Sequence, residues 1–275
     1  MAIWPLELQK SLRDQEGLTD IRACGIPATA PGSVHSRMPL PAEALLSNAD
    51  QADQFVLNRV NEGADYIKVV ADIPGPDQAT LDAIVKAAHQ HGKKVVAHAV
   101  SVAATAMAQT AGVDFVTHAP LDGLMDDKAV NHMLSSKRID VPTLTMMKKV
   151  AQLKGGTYEN ARQNVVSMYR AGVPILAGTD ANTSPGSPAQ VAHGISLHEE
   201  LELLTECGMS TVAVLQAATS LTARYFGLHD RGVVQPGYRA DFILLKGNPV
   251  EDIRTTRNIQ AVWIAGQEYN SQKGN

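Results

Sequence analysis

The stretch from Asp65 to His118 decides the fold. Asp65-Tyr-Ile-Lys-Val-Val70, Lys94-Val-Val-Ala-His98 and Asp114-Phe-Val-Thr-His118 are short, β-branched and apolar, the texture of strands buried on both faces. Between the first two lies a helical pattern over 77–91. Its Leu81, Ile84, Val85 and Ala88 recur at three- and four-residue spacing and so share one face. Gly92 and Gly112 stand where a left-handed residue closes a helix before the next strand. Parallel strands need helical crossovers, so the repeating unit is β then α.

The same unit extends outward in both directions. Upstream, Asp20-Ile-Arg-Ala-Cys24 reads as a strand, and Ala52, Phe55, Val56 and Val60 mark a helix over 50–62 closed by Gly63. Downstream, Ile139-Asp-Val-Pro-Thr143 and Val173-Pro-Ile-Leu-Ala177 read as further strands, and helical stretches follow over 193–206 and 209–226. No Gly-x-Gly-x-x-Gly loop follows any strand, which argues for a TIM-type (β/α) barrel over a doubly wound sheet. Six strands are in hand out of a barrel's eight, so the barrel is expected to be incomplete. Beyond residue 228 the texture changes to strands and turns, 231–245 and 259–266. The expected division is a barrel over 1–228 and a small β appendage over 229–275.

Composition narrows the function. The chain has 275 residues, 28 acidic and 24 basic, 44% hydrophobic and 19% charged, an ordinary globular balance that excludes disorder as the dominant state. A net charge of −4 without a Lys/Arg block gives no footprint for nucleic acid or an anionic membrane. A small-molecule substrate is the expected partner. Cys24 and Cys207 are too few for a disulfide framework and suit a reducing, cytoplasmic setting as two thiols. Residues 1–10 lack the basic start and apolar core of a secretory signal, and no run of 18 apolar residues occurs.

Four strands end on a residue that binds metals or moves protons: Lys68, His98, His118, and Asp180 in Gly178-Thr-Asp180. In a β/α barrel the carboxyl ends of the strands converge, so these four meet on one face. Two imidazoles and a carboxylate suit Zn²⁺ or a similar divalent ion. A lysine ammonium is not a ligand. Carbamylation of Lys68 by CO₂ would turn it into a carboxylate.

With Ile67-Lys68-Val-Val, Ala97-His98-Ala, Thr117-His118-Ala, Ala177-Gly-Thr-Asp180 and the tail Arg231-Gly-Val-Val-Gln-Pro-Gly-Tyr-Arg-Ala-Asp-Phe-Ile-Leu-Leu245, the chain resembles the metal-dependent amidohydrolase superfamily, in its imidazolonepropionase-like and Xaa-Pro-dipeptidase-like branch. The resemblance implies a carbamylated Lys68 bridging one or two ions, zinc by family habit, with His98 and His118 holding one metal. It implies that Asp180 binds the other metal and acts as general base, while a metal-activated hydroxide attacks a carbonyl carbon. The family's His-x-His pair on the first barrel strand, and the sandwich strand before it, have no counterpart here. His89-Gln-His91 does not replace that pair, because it lies at a helix end on the face opposite the site.

Simpler roles stand beside these. His98 and His118 taken singly read as core histidines, Lys68 as a lysine neutralised by an acid such as Asp180, and Asp180 as a turn or N-cap carboxylate. His35, in the loop from Ala30 to Pro41, and His193, ahead of a helix carrying Glu199, Glu200 and Glu202, are weak candidates for substrate contact. The expected function is metal-dependent hydrolysis of a carbon–nitrogen bond in an amide, cyclic amide or dipeptide. The alternative is a truncated, inactive relative with a non-catalytic binding or partner role. Two unpaired barrel edges invite pairing, which predicts a homo-oligomer.

Overall fold

The computed structural model describes residues 6–13, 15–184, 187 and 189–269; the first five residues of the amino-terminal stretch lie outside them. Helices and strands alternate in the order α1 (Leu6–Leu12), α2 (Ala52–Glu62), β1 (Ile67–Val70), α3 (Gln78–Gln90), β2 (Val95–His98), α4 (Val102–Ala111), β3 (Phe115–Thr117), α5 (Asp127–Ser135), β4 (Ile139–Val141) and α6 (Leu144–Lys154). The helices α7 (Tyr158–Ala171), α8 (Ile195–Glu206), α9 (Thr211–Ala218) and α10 (Ser220–Tyr225) follow, and then the strands β5 (Phe242–Leu245), β6 (Ile259–Ile264) and β7 (Gln267–Glu268). The helix signals act as expected. Asp77, Ser101 and Asp126 cap α3, α4 and α5 by accepting from the third backbone N–H of each. Gly63 and Gly112, both at φ 88°, close α2 and α4.

β1 to β4 form a parallel sheet in sequential order, with Lys68 beside Val96, Val70 beside His98, and His98 beside Thr117. Side chains alternate across it. Ile67, Val69, Val95, Ala97 and Val116 join the core shared with the helices. The opposite face is apolar at its amino end, where Tyr66, Val96, Phe115, Ile139 and Leu176 cluster with Cys24. Phe226, just after α10, stacks on Phe115 with ring centroids 4.3 Å apart. Continuing along that same face in steps of two, the carboxyl end carries Lys68, His98 and Thr117. One face is therefore plugged with aromatic residues at one end and polar at the other.

Two of the six expected strands are not formed as strands. Asp20–Cys24 is extended without ladder pairing, and pairing with β1 comes later, as one parallel bridge between Ala28 and Val69. Asp65 explains the shift: its carboxylate takes Ala23 N–H, Arg13 and Arg22, holding this stretch by side-chain bonds. At the other edge Val173–Ala177 is likewise reduced to a bridge between Ile175 and Asp140. Pro174 has no N–H to give, and Ala177 N–H turns away to Ala217 O on α9 at 3.2 Å. Among the described residues the sheet is thus four strands extended by one bridge at each edge. The expected 209–226 helix breaks at Thr219 into α9 and α10. Of 231–245 only Phe242–Leu245 is a strand, and it pairs antiparallel with β6, itself paired with β7.

Candidate active site

β1, β2 and the residue after β3 deliver Lys68, His98 and His118 to one place. The His98 and His118 rings meet edge to face with centroids 4.4 Å apart. His118 is buried and left-handed, φ 79°, and its N–H makes the last ladder bond to β4, to Val141 O at 3.0 Å, as the chain leaves the strand. Its Nδ1 lies 2.7 Å from Thr143 Oγ1. Lys68 Nζ donates to Thr117 Oγ1 at 3.3 Å, and no ion pair to Lys68 occurs among the described residues. Burial pushes the Lys68 ammonium toward the neutral amine, against the opposing pull of Cys24 and Asp180. Burial likewise lowers His98, more than the Asp72 carboxylate restores. His118 is driven well below the ordinary histidine range, first by burial and then by the repulsion that any positive charge on His98 or Lys68 adds.

The geometry adds a carboxylate that the sequence pattern did not single out. Asp72, two residues past β1, accepts from His35 Nδ1 at 2.8 Å through one oxygen and approaches His98 Nε2 at 3.5 Å through the other. Burial opposes its ionisation, but the two imidazoles outweigh it and hold Asp72 well below the usual carboxylate range. His35, in a 3₁₀ turn over His35–Arg37, also packs edge-on to His98 at 4.5 Å. The ligand atoms of His35, Asp72 and His98 all lie within 4.8 Å of one another. A signal for Asp72 existed in the alternation: Lys68, Val70 and Asp72 continue one face in steps of two.

Asp180 is exposed and left-handed at φ 50°. Its charge works against the lowering of Lys68 by burial, and it caps no helix among the described residues. Gly178, two residues before it, passes so close to β4 that an added Cβ would stand 2.6 Å from Val141 Cγ1. His193 is exposed just ahead of α8 and makes no side-chain contact with the cluster among the described residues. The first turn of α8 holds no acid, so Glu199, Glu200 and Glu202 do not serve a helix start there. His89, at the end of α3, bonds Asp114 at 2.9 Å, away from the cluster as expected. Cys24 and Cys207 are buried, and burial pushes each thiol up to about 11.

The amidohydrolase family model matches residues 19–269, nearly the whole chain. The chain belongs to the amidohydrolase family. An imidazolonepropionase of Deinococcus deserti is 30% identical over 189 residues, which cover 66% of this chain and 43% of that protein. An ochratoxinase of Aspergillus niger is 25% identical over 251 residues, 82% of this chain and 50% of that protein. The chain thus spans half or less of the length of these two relatives. Among solved structures, a Xaa-Pro dipeptidase with bound methionine superposes with a TM-score of 0.81 at 25% identity, over 97% of this chain and 72% of that one. These amidohydrolase neighbours carry a TIM-like α/β fold to this chain.

The amidohydrolase family generally binds a divalent metal, and the donors here fit one. Half-buried His98 and buried His118 are shifted toward the neutral form that ligates, a carboxylate stays ionised beside them, and burial lowers the proton affinity of Lys68. Asp72 also ties part of this set together without an ion, bonding His35 at 2.8 Å and approaching His98 at 3.5 Å.

Proposed function

We propose that this amidohydrolase cleaves a carbon–nitrogen bond in a small amide, cyclic amide or dipeptide, with one or two divalent ions, zinc first, held at the cluster. The observation that carries this reading is the convergence of Lys68, His98 and His118 at the carboxyl ends of adjacent parallel strands. A bound divalent ion supplies Lewis acidity and a water far more acidic than bulk water. His98 and His118 present neutral nitrogens toward it, His118 through Nε2 because Nδ1 is engaged by Thr143. Lys68, once its ammonium has given up a proton to solvent, would add as the amine to the carbon of CO₂ and release a second N–H proton to solvent, leaving a carbamate anion in place of the original cation. Asp180, exposed and interacting with Lys68 through its charge, takes the proton of the attacking water and returns it to the leaving nitrogen. His35, anchored by Asp72, stands half-exposed at the open side, where it meets a polar group of the substrate.

One observation favours a second reading. The His35–Asp72–His98 bridge forms without an ion, as expected of a pocket that binds a small molecule and does no chemistry. Elemental mass spectrometry of the purified chain decides between them, with His98→Ala/His118→Ala as control and a screen for amine release from amides, cyclic amides and dipeptides. Bound zinc that disappears in the control, together with turnover, is the expected result. A metal-free chain that stays inactive after zinc and bicarbonate are supplied would sink the hydrolase reading.

A further inference from the structure

Thr143 occupies the N-cap position of α6, yet its hydroxyl caps nothing in that helix. A threonine there ordinarily accepts from the second or third backbone N–H of its own helix, satisfying a donor that no carbonyl reaches. Here its backbone is left-handed, φ 49° and ψ 48°, a region that a β-branched residue enters only under constraint. The hydroxyl instead lies 2.7 Å from His118 Nδ1. Two open backbone donors of α6 are met from another helix. Fully buried Glu200 of α8 accepts from Leu144 N at 2.8 Å, Thr145 N at 2.7 Å and Thr145 Oγ1 at 2.7 Å. The cap has moved from Thr143 to a carboxylate some fifty-five residues further along the chain.

We propose that Glu200 is a positioning residue for the candidate site: by capping α6 in place of Thr143, it keeps the Thr143 hydroxyl on His118 and so fixes that imidazole's tautomer and orientation. Two demands compete for one hydroxyl. With Glu200 gone, the freed Thr145 N–H draws it back to its own helix, and the backbone relaxes to the extended geometry of an ordinary N-cap. His118 then loses the partner that leaves Nε2 as its binding nitrogen. Glu199, the adjacent acid, faces Lys148 at 3.1 Å and serves as an internal control. The value of this device to catalysis depends on the metal reading above, whereas the positioning itself is a property of the metal-free chain.

The test is long-range ¹H–¹⁵N NMR of the metal-stripped chain at pH 7.5, with the His118 signals assigned by their loss in His118→Gln. The wild type is expected to show one neutral tautomer at His118. Thr143→Val converts it to a mixture and Thr143→Ser retains it. Glu200→Ala reproduces the Thr143→Val spectrum, and Glu199→Gln leaves the wild-type one. Glu200→Gln, which keeps one acceptor oxygen and stands in if the alanine variant does not fold, moves the same signals in the same direction but less far. In a parallel titration with Co²⁺, affinity falls about 10-fold or more in Glu200→Ala and Thr143→Val. Absence of cobalt binding in the wild type counts against the metal reading only and leaves the NMR arm intact. Two results overturn the proposal: His118 signals unchanged in Thr143→Val, or changed there but unchanged in the Glu200 variants.

Discussion

At the scale of single residues, the site is built from groups that folding alone would not choose. Lys68 places an amine in a buried position where its one hydrogen bond is a 3.3 Å contact to a threonine, and burial of such a group is unfavourable without a partner. Lys68→Met keeps the length and removes the polar end. Its expected effect is a gain in stability of about 1 kcal/mol, read as a melting temperature a few degrees higher, together with loss of metal retention. A variant destabilised by about 2 kcal/mol or more would assign Lys68 a structural role instead. Gly178 shows the opposite constraint. Its backbone lies against Val141, and the Cβ of Gly178→Ala meets Cγ1 at 2.6 Å. The expected loss is about 1–3 kcal/mol by urea unfolding. Val141→Ala in the same chain should recover most of it, and a pair of strictly additive losses would refute the clash.

At the scale of elements, α6, α8 and β4 share a buried acidic layer with a pH consequence. Burial pushes Glu200 up to about 7, though Leu144 and Thr145 donate to it, and Asp140 is raised well above its ordinary value by burial and by Glu200. A carboxyl whose folded value exceeds its unfolded value of 4.5 keeps its proton when the unfolded chain has released it. Its contribution therefore weakens the fold as pH rises from about 4.5 to about 7, and every tenfold difference in proton affinity between the folded and unfolded chain corresponds to roughly 1.4 kcal/mol. His98 and His118 act oppositely, since their lowered values cost stability as pH falls below 6.5. The difference between wild type and Glu200→Gln isolates the carboxyl. The variant's advantage should grow between about pH 5 and pH 7 in urea titrations, and a constant difference would refute the assignment. The elements also mark what the sequence made legible. Short, β-branched apolar runs exposed β1 to β3, because parallel strands buried on both faces write that texture locally, and the convergence of strand carboxyl ends brought Lys68, His98 and His118 together. The outer segments failed because Asp65 and Pro174 override β-branched texture by bonds that a strand pattern does not contain. Glu200 was visible only as an acid on the apolar stripe of α8 with Ser196, Leu203 and Leu204. His35 and Asp72 are 37 residues apart, and nothing local announced their bond.

At the scale of the molecule, the parallel sheet stops short of closure among the described residues and the small antiparallel sheet carries exposed apolar side chains. Among the described residues both edges of the parallel sheet end in a single bridge, at Ala28 and at Ile175, and regular ladder pairing goes no further. In β5 the consecutive residues Phe242, Ile243 and Leu244 are all exposed, which means that both faces of the strand meet solvent. Ile259, paired with Leu245, adds to that surface. Strands of this kind normally carry charges or a cover, and apolar area of this order is where chains associate. The chain is therefore expected to run in light scattering at micromolar concentration as a dimer or larger assembly. Leu244→Lys should shift it toward the monomer without changing the far-ultraviolet circular dichroism, since the side chain is about half exposed and carries little of the core. Two outcomes separate the sheets. Association that survives Leu244→Lys points to the parallel edges, where Ala28→Pro would then be the discriminating change, because Ala28 N–H donates to Lys68 O at 2.9 Å and its loss frees that edge. A monodisperse wild-type monomer across the concentration range would contradict both, and would require the exposed strands to be stable with water as their only cover.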